Sequence, residues 1–266
     1  MKLGMSSASF YGRMETEDAA RHLLQFPLDT CEIFLETPSE YSAIFGAFVR
    51  ERLGLLHCTS VHPKGSQFEG DLFSSSLRQR MDALHLFEGV CASGEKIRAR
   101  YYVFHGPFSV RRKMSPGQIQ RLEPSVRDMQ KCAADHGMEV LWENVSWCTG
   151  DTPAHIREIQ VRLPDMHFVL DVKQAYQAGT TPQQMMQAMG SGLRHVHVLD
   201  WEENGKLLLP GKGQVDWTDL FRELHKIGFD GSVILEPYSS MSENEAEVKE
   251  SLHVLRDAMN NAERER

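Results

Sequence analysis

The chain has 266 residues, of which 41% are hydrophobic and 25% are charged, and its formal net charge is −8. This balance is ordinary for a globular protein, and the length suits either one eight-stranded barrel or two small domains. Nucleic-acid-binding proteins usually carry a clustered basic surface, so the acidic balance predicts no nucleic-acid partner.

The apolar segments and the cysteines favour a cytoplasmic protein without a membrane association. The first residues lack the sustained apolar run of a signal peptide, and no apolar stretch approaches the length of a membrane helix. The five cysteines are widely spaced and form no CxxC motif, so neither a disulfide framework nor a cysteine zinc site is indicated. Reduced thiols are the expectation.

Short apolar or β-branched segments alternate along the chain with longer segments of helical period. The predicted strands cover residues 2–6, 31–36, 55–60, 100–104, 138–143, 167–171, 194–199 and 232–236. This alternation predicts parallel strands joined by right-handed crossovers. Eight units favour an α/β fold of the (β/α)8 barrel type over an open doubly wound sheet, whose first turn would be rich in glycine. We therefore predict a single TIM barrel domain over residues 1–266.

Helix start and stop signals lie between the predicted strands. Ser115 and Thr181 each precede a proline and are expected to cap the helices that follow strands four and six. Gly137 is expected to end the first of these helices. Ser242 and Glu245 have the spacing of a capping box and predict the start of the last helix.

Polar residues end four successive predicted strands in the second half of the chain. Glu143 ends VLWE, Asp171 ends FVLD, and Glu236 ends VILE, while His197 and Asp200 lie in HVHVLD. In a barrel these positions meet at the C-terminal face, where active sites are built. One such carboxylate could be an ordinary helix cap, but neighbouring carboxylates raise each other's pKa unless a cation lies among them. We expect one divalent ion (Mn²⁺, Zn²⁺, Mg²⁺ or Co²⁺) at Glu143, Asp171, His197 and Glu236.

The motifs LWEN, LDVKQA, HVHVLDW, LLLPGKGQVDW and GFDGSVILEPY resemble the xylose-isomerase-like barrel superfamily of sugar isomerases, epimerases and endonuclease IV. The resemblance covers most of the chain and is most specific from about residue 138 to residue 238. It implies that the same four residues bind one divalent ion. In the ketose 3-epimerase branch it also implies that Glu143 and Glu236 move a proton on and off the substrate carbon. The matching histidine ligand is His197 rather than His195, although both face the same side of the strand.

Two histidines in the first half of the chain follow predicted strands three and four. His62 lies in TSVHP and His105 lies in VFHGP. The resemblance implies that both are substrate contacts, as in the sugar branch, or ligands of a second metal ion, as in endonuclease IV. Packing of either histidine under a loop is the alternative.

The sequence also departs from the family pattern. Gln174, Gly205 and Leu207 occupy positions that hold a further zinc ion in endonuclease IV, and none is a usual zinc ligand, so cleavage of abasic DNA is not expected. Gln174 replaces a histidine that epimerases use to hold a substrate oxygen. Lys173 would pair with a substrate phosphate or carboxylate, or steady an enediolate, if it points into the mouth; otherwise it is a solvated lysine. Lys212 in PGKG could help backbone N–H groups to hold an anion, although a plain loop is slightly favoured.

Aromatic residues near the strand ends complete the predicted pocket. Trp147 and Trp201 are candidates for its walls. Asp200 and Trp201 are also predicted to contact the substrate. Trp142 should point away from Glu143, into the layer between barrel and helices.

Three functions remain open from the sequence. The favoured one is a metal-dependent isomerase or epimerase of a sugar or sugar phosphate, which acts by glutamate-mediated proton transfer through an enediolate. The second is a metal-dependent hydrolase, dehydratase or lyase, in which His62 and His105 supply a second ion. The third is a non-catalytic ligand-binding barrel. The expected partner is a small carbohydrate, and a homodimer is left open.

Overall fold

A computed structural model describes residues 1–65, 68–108 and 116–264, without the side chains of 116–119. Eight parallel strands close into a barrel in the order β1-β10-β7-β6-β5-β4-β3-β2. In chain order the barrel strands are β1 (Lys2–Ser6), β2 (Thr30–Leu35), β3 (His57–Pro63), β4 (Tyr101–Phe104), β5 (Glu139–Glu143), β6 (His167–Asp171), β7 (Leu193–Val198) and β10 (Ser232–Leu235). Two short antiparallel strands, β8 (Asp200–Trp201) and β9 (Leu207–Leu208), form a hairpin in the loop after β7.

Helices connect the strands and cover the outside of the barrel. They are α1 (Thr16–His22), α2 (Ala43–Arg52), α3 (Leu77–Ile97), α4 (Pro116–Asp135), α5 (Pro153–Arg162), α6 (Val172–Gln177), α7 (Pro182–Met189), α8 (Trp217–Lys226) and α9 (Glu245–Arg264). Their apolar faces pack on outward-facing strand residues such as Ile33, Trp142 and Leu170 in one large buried cluster. The predicted (β/α)8 barrel is therefore confirmed, and Trp142 lies in the barrel–helix layer as expected.

Every predicted strand corresponds to a barrel strand, with ends displaced by no more than three residues. The largest displacement is in β3, which was predicted over residues 55–60 but spans His57–Pro63. Leu55 instead lies fully exposed in the turn after Gly54, whose φ of +53° ends α2. His62 consequently lies inside β3 rather than after it.

The helix signals were correct at two positions. Thr181 caps α7 in a capping box with Gln184, and Gly137, with a φ of +69°, follows α4. The predicted cap at Ser115 lies outside the described residues.

The expected capping box at Ser242 is wrong. The last helix begins at Glu245, and the Asn244 carbonyl accepts hydrogen bonds from its first turn. Ser242 is buried before the helix and accepts a hydrogen bond from Arg13. It therefore ties the loop after β10 to the loop after β1 rather than capping α9.

The interior of the barrel has an apolar wall and a polar wall. The apolar wall is a separate cluster of Tyr101, Val103, Leu141 and Val169. On the other wall, near the N-terminal ends of the strands, the hydroxyls of Thr30, Thr59 and Ser232 are hydrogen-bonded in a chain. Two residues further along β2 is Glu32, and two residues beyond His195 on β7 is His197. Because side chains alternate along a strand, this wall continues upward into the C-terminal mouth.

The described residues contain no helix that is long and apolar enough to cross a membrane. All five cysteines are free thiols.

Candidate metal and active site

The four predicted ligands converge at the C-terminal mouth. Glu143 and Asp171 are the last residues of β5 and β6, His197 is the penultimate residue of β7, and Glu236 directly follows β10. One ligand atom from each residue lies within 4.8 Å of the other three. Ligands that bind one ion at about 2.0–2.3 Å are separated by up to about 4.5 Å. The spacing therefore suits a single divalent ion.

Asp171 is held in place by Asn144, the last residue of the LWEN motif. The Asn144 amide donates to the backbone carbonyl of Asp171 at 3.0 Å, and the Asp171 N–H donates to the Asn144 side-chain oxygen at 2.7 Å. Oδ1 of Asp171 accepts the N–H of Gln174 at 3.0 Å and so caps α6. One carboxylate oxygen is thereby used by the fold, and Oδ2 is left to face the mouth.

His197 uses its two ring nitrogens in opposite directions. Nδ1 lies 3.0 Å from Oε1 of Glu143 and 3.5 Å from Oε2 of Glu236. Nε2 lies 3.1 Å from Oε2 of Glu32, which is fully buried on β2. The imidazole therefore bridges the predicted ligand set and a carboxylate that the strand-end pattern did not predict.

Lys173 points into the mouth. Its Nζ lies 2.8 Å from Oδ2 of Asp171 and 2.9 Å from Oε2 of Glu236, and it is 5.7 Å from the ring centroid of Tyr238. The ammonium thus pairs with two of the four predicted ligands. Its role towards a substrate stays a prediction.

The two histidines from the first half of the chain form a pair beside the ligand set. Nε2 of His62 and Nε2 of His105 are 2.7 Å apart. Nδ1 of His62 lies 3.4 Å from Glu236, and Nε2 of His105 lies 3.4 Å from Glu143. Nδ1 of His105 lies 3.7 Å from buried Glu69, which also accepts the hydroxyl of Tyr102 at 2.9 Å.

Both predicted catalytic glutamates are ionised in this environment. Burial alone would raise the pKa of Glu143, but the imidazoles of His197, His105 and His62 outweigh it and lower the pKa to about 2. Burial is likewise outweighed at Glu236, where Lys173, His197 and His62 hold the pKa well below its usual range. Each carboxylate is therefore unprotonated near neutral pH, as a general base must be.

The remaining groups of the mouth respond to the same dense negative charge. Burial, with Glu143 and Glu236 nearby, raises the pKa of Asp171 to about 6, even though Lys173 opposes the shift. Against burial, Glu236 and Glu32 raise the pKa of His62 to about 10. Burial and the facing His62 lower the pKa of His105 to about 4. The site therefore favours positive charge at its centre.

Several buried polar atoms of the mouth have charged groups near them but make no hydrogen bond. Among the described residues, Oε2 of Glu143, Oδ2 of Asp171, Oε1 of Glu32 and Nδ1 of His62 are buried and have no hydrogen bond. Buried polar atoms are rarely left unpaired. Three carboxylates and one imidazole, two of them with such atoms, form a donor set that fits a divalent cation.

Aromatic side chains form part of the rim. The rings of Phe108 and Trp147 stack at 4.9 Å, and Trp147 lies 5.7 Å from the ring of His105. Tyr238 is half-exposed on the side of Lys173. Trp201 instead stacks on Tyr176 of α6 at 4.3 Å, so this predicted wall residue packs on a neighbouring helix.

Two further predicted substrate contacts have their side-chain oxygens engaged within the fold. Oε1 of Gln174 accepts the backbone N–H of Ser146 at 2.9 Å and its hydroxyl at 2.7 Å. The carboxylate of Asp200 accepts five N–H groups, from Trp201, Gly211, Gly213, Val215 and the indole of Trp217. Substrate contacts through Gln174, Asp200 and Trp201 stay predictions.

The PGKG segment does surround an anion, and that anion is Asp200. The backbone N–H groups of Gly211 and Gly213 point at its carboxylate. A Cβ at Gly213 would lie 2.3 Å from Oδ1, so this close approach requires glycine. Lys212 lies between them but pairs with Glu247 of α9. Substrate binding by Lys212 likewise stays a prediction.

Comparisons with known proteins agree with this architecture. A family model described as a xylose isomerase-like TIM barrel matches residues 22–258. The chain belongs to this family. An uncharacterized protein of Mycobacterium leprae is 25% identical over 281 residues, which cover 96% of this chain and 97% of that protein. The resemblance inferred from the motifs is therefore confirmed.

Epimerases are among the relatives whose activity is stated. A D-psicose 3-epimerase of Ruminiclostridium cellulolyticum is 29% identical over 157 residues, which cover 55% of this chain and 50% of that protein. The solved structure of D-psicose 3-epimerase with D-tagatose, from Clostridium cellulolyticum H10, has a TM-score of 0.80 at 19% identity and covers 97% of this chain and 99% of that chain. The structural likeness shows the shared fold. Together with family membership, the epimerase match supports an enzyme of the isomerase or epimerase type.

Glu32 and Glu69 are the buried acidic residues of this region that the sequence reasoning missed. The strand-end pattern selects polar residues that close an apolar segment, whereas Glu32 is the second residue of CEIFLE. Cys31 and Ile33 lie on one face of the strand, so the charged residue between them must point to the opposite face. This alternation was a usable signal for Glu32. Glu69 lies in a short 3-10 helix after β3 and carries no comparable pattern.

Proposed function

We propose that this protein is a divalent-metal-dependent sugar epimerase or isomerase in which Glu143 and Glu236 transfer a proton at a carbon next to a carbonyl. The observation that carries the proposal is the convergence of these two carboxylates with Asp171 and His197 within 4.8 Å. The epimerase activity of a relative that is 29% identical over half of the chain supports it. The proposed substrate is a small carbohydrate.

Glu143, Asp171, His197 and Glu236 would hold the ion through the atoms that face the mouth. A divalent ion there supplies a Lewis acid that acidifies the carbon-bound proton of a bound ketose or aldose. Glu143 and Glu236 come from strands on either side of β6 and β7, so they approach a sugar between them from two directions. One accepts the proton, and the other returns a proton to form an epimer.

His62 and Lys173 are proposed to bind and orient the sugar. Both carry positive charge beside Glu236, at 3.4 Å and 2.9 Å. N–H groups in these positions can donate to substrate oxygens and stabilise negative charge that develops on an enediolate. Trp147 and Phe108 on the rim help to exclude water from one side of the mouth.

The test is proton exchange in deuterated water. D-psicose, D-tagatose and D-fructose are incubated with the protein and Mn²⁺, and deuterium at the carbons next to the carbonyl is followed by NMR. The wild type is expected to incorporate deuterium into at least one sugar. Glu143→Gln and Glu236→Gln should each reduce the rate by about 10²-fold or more, the scale of general acid–base catalysis.

Glu139→Gln is the matched control. Glu139 lies on the same strand as Glu143 but at its N-terminal end, where it pairs with His167 outside the mouth. This variant should retain exchange. Undiminished exchange in both Glu143→Gln and Glu236→Gln would contradict the proposed roles.

A metal-dependent hydrolase, dehydratase or lyase is the second candidate, and one observation favours it. His62, His105 and Glu143 also offer three atoms within 4.8 Å of one another, which suits a second ion beside the first. Two ions suit hydrolysis, since they stabilise the attacking and the leaving oxygens. Elemental analysis separates the candidates: about one ion per chain supports the epimerase, and two ions, the second lost in His105→Asn, support the alternative.

A further inference from the structure

Glu32 is the buried carboxylate beneath the ligand set, and nothing in the proposed proton transfer uses it. We propose that Glu32 is a positioning residue that fixes the ring orientation and the tautomer of His197, so that Nδ1 is the nitrogen presented to the divalent ion. This inference rests on the proposed metal site. It adds a residue from β2, on the opposite side of the barrel from β6, to a site otherwise built from the second half of the chain.

The geometry of His197 carries the inference. Its Nε2 lies 3.1 Å from Oε2 of Glu32, a distance at which an N–H donates to a carboxylate. Its Nδ1 lies 3.0 Å from Glu143 and 3.5 Å from Glu236, within the ligand set. A proton held on Nε2 by Glu32 leaves the lone pair of Nδ1 free for an ion. Metal-binding histidines generally use their second nitrogen in this way.

Glu32 is itself held rigidly. Oε2 also accepts the hydroxyl of Ser60 at 2.7 Å and lies 3.3 Å from Nε2 of His195. The residue is fully buried. Its other oxygen, Oε1, is 3.6 Å from Nδ1 of His62. One carboxylate therefore contacts the imidazole of a predicted ligand and the imidazole of a predicted substrate contact.

A structural role alone does not account for a carboxylate at this position. The neighbouring positions of β2 are Cys31 and Ile33, and the opposite wall of the barrel is apolar. A buried ionic group contributes little to stability when an apolar residue of similar volume could replace it. The contacts of Glu32 converge on three histidines, which points to a role in the site.

Glu32 could alternatively bind an ion directly, because Glu32, His62, His197 and Glu236 form another group within 4.8 Å. That arrangement would use Nε2 of His197. It would engage two of the buried atoms that lack a hydrogen bond, Oε1 of Glu32 and Nδ1 of His62, but it would leave the other two, the carboxylate oxygens Oδ2 of Asp171 and Oε2 of Glu143, outside the ion's ligand set. The set of Glu143, Asp171, His197 and Glu236 uses both residues, and it leaves Glu32 behind the imidazole.

The first experiment measures Mn²⁺ affinity by isothermal titration calorimetry. Glu32→Gln and Glu32→Asp are compared with the wild type and with Glu40→Gln, a buried carboxylate that contacts Thr16 outside the mouth. Glu32→Gln should bind one ion about 10- to 100-fold more weakly, as expected when the partner of a ligand histidine is removed. Glu40→Gln should bind as the wild type does. Unchanged affinity in Glu32→Gln overturns the inference, and complete loss of binding identifies Glu32 as a ligand and overturns it too.

The second experiment reads the nitrogen directly and does not depend on the folding of a variant. Wild-type protein labelled with 15N-histidine is loaded with 113Cd²⁺, and coupling between cadmium and nitrogen is recorded by NMR. Coupling to Nδ1 of His197 is the expected result, and coupling to Nε2 overturns the inference. If the wild type binds no divalent ion at all, the proposed function itself fails, and this outcome differs from normal binding with no effect of Glu32→Gln.

Discussion

Replacing Lys173 by methionine should tighten the binding of a divalent ion. The Lys173 ammonium lies 2.8 Å from Asp171 and 2.9 Å from Glu236, both proposed ligands, so it occupies the electrostatic position that the ion requires. An ion that enters the wild-type site must displace the ammonium or bind beside it. Methionine keeps most of the aliphatic volume and removes the competing charge.

The size of the effect follows from the two ion pairs. At an effective dielectric constant of about 20, each pair corresponds to about 6 kcal/mol before desolvation is subtracted. Measured costs of breaking a buried pair are about 3–5 kcal/mol. Part of this is recovered when the displaced ammonium finds water or the ring of Tyr238, which is 5.7 Å away. We expect the dissociation constant for Mn²⁺ to fall by at least about tenfold and by up to about 10³-fold.

Calorimetric titration with Mn²⁺ gives the dissociation constants, and thermal unfolding gives a second readout. Without metal, Lys173→Met should be less stable than the wild type, because it leaves two buried carboxylates, Asp171 and Glu236, without their paired ammonium. Saturating Mn²⁺ should reverse this order. Lys226→Met is the control, since Lys226 is exposed and pairs with Glu223 on α8. An unchanged or larger dissociation constant in Lys173→Met would refute the competition argument.

Three further predictions concern stability. Mn²⁺ at about 1,000 times its dissociation constant should raise the free energy of unfolding by about 4 kcal/mol, and calorimetry should show no such rise in Glu236→Gln. Burial raises the pKa of Glu69 from 4.5 to about 7, so the native state binds the proton more tightly and stability falls as pH rises through this window. Glu69→Gln keeps an acceptor for Tyr102 but cannot titrate. Its free energy of unfolding relative to that of the wild type, measured by denaturant titration, should rise by roughly 2.5 kcal/mol between about pH 5 and pH 8. A difference that does not change with pH would contradict the assignment. Gly106→Ala should lower the melting temperature more than Gly137→Ala does, although φ is positive at both positions. A Cβ at Gly106 would lie 2.7 Å from Trp142, while a Cβ at Gly137 would meet open space. Equal melting temperatures in the two variants would show that the contact relaxes freely.

The convergence of the strand-end residues could be predicted because barrel topology turns a local pattern into a spatial one. Glu143, Asp171 and Glu236 each end an apolar run, and parallel closure brings the ends of these runs to one mouth. No knowledge of long-range contacts was needed beyond the order of strands and helices. The same reasoning placed Trp142 correctly, since it needed only the alternation of side chains along β5.

The partners of Glu32 and Lys173 could not be predicted in this way. Glu32 meets Ser60 because the register of β2 against β3 shifts at Cys31 and Glu32, an irregularity without an evident sequence signature. Lys173 points into the mouth because α6 begins immediately after Asp171, a short helix that was not predicted. Both depend on backbone detail at one residue, where periodicity carries no information.

The PGKG loop shows a different limit. Its glycines and backbone N–H groups indicated anion binding, and the structure supplies an anion from the chain itself, Asp200. Residue type alone cannot distinguish an internal carboxylate from a bound ligand, because both make the same hydrogen bonds.

The anchoring of this loop by Asp200 also bears on how the pocket could diversify. The five donors that Asp200 accepts come from Trp201 and from residues 211–217, so they hold both ends of the loop and leave its tip at residues 202–206 outside the anchor. The conformational entropy of the loop is therefore lost during folding and not again when a substrate binds. Insertions or substitutions at the tip would then leave the anchor and the strand ends in place, so this loop could change in length and sequence while the charged centre stays the same.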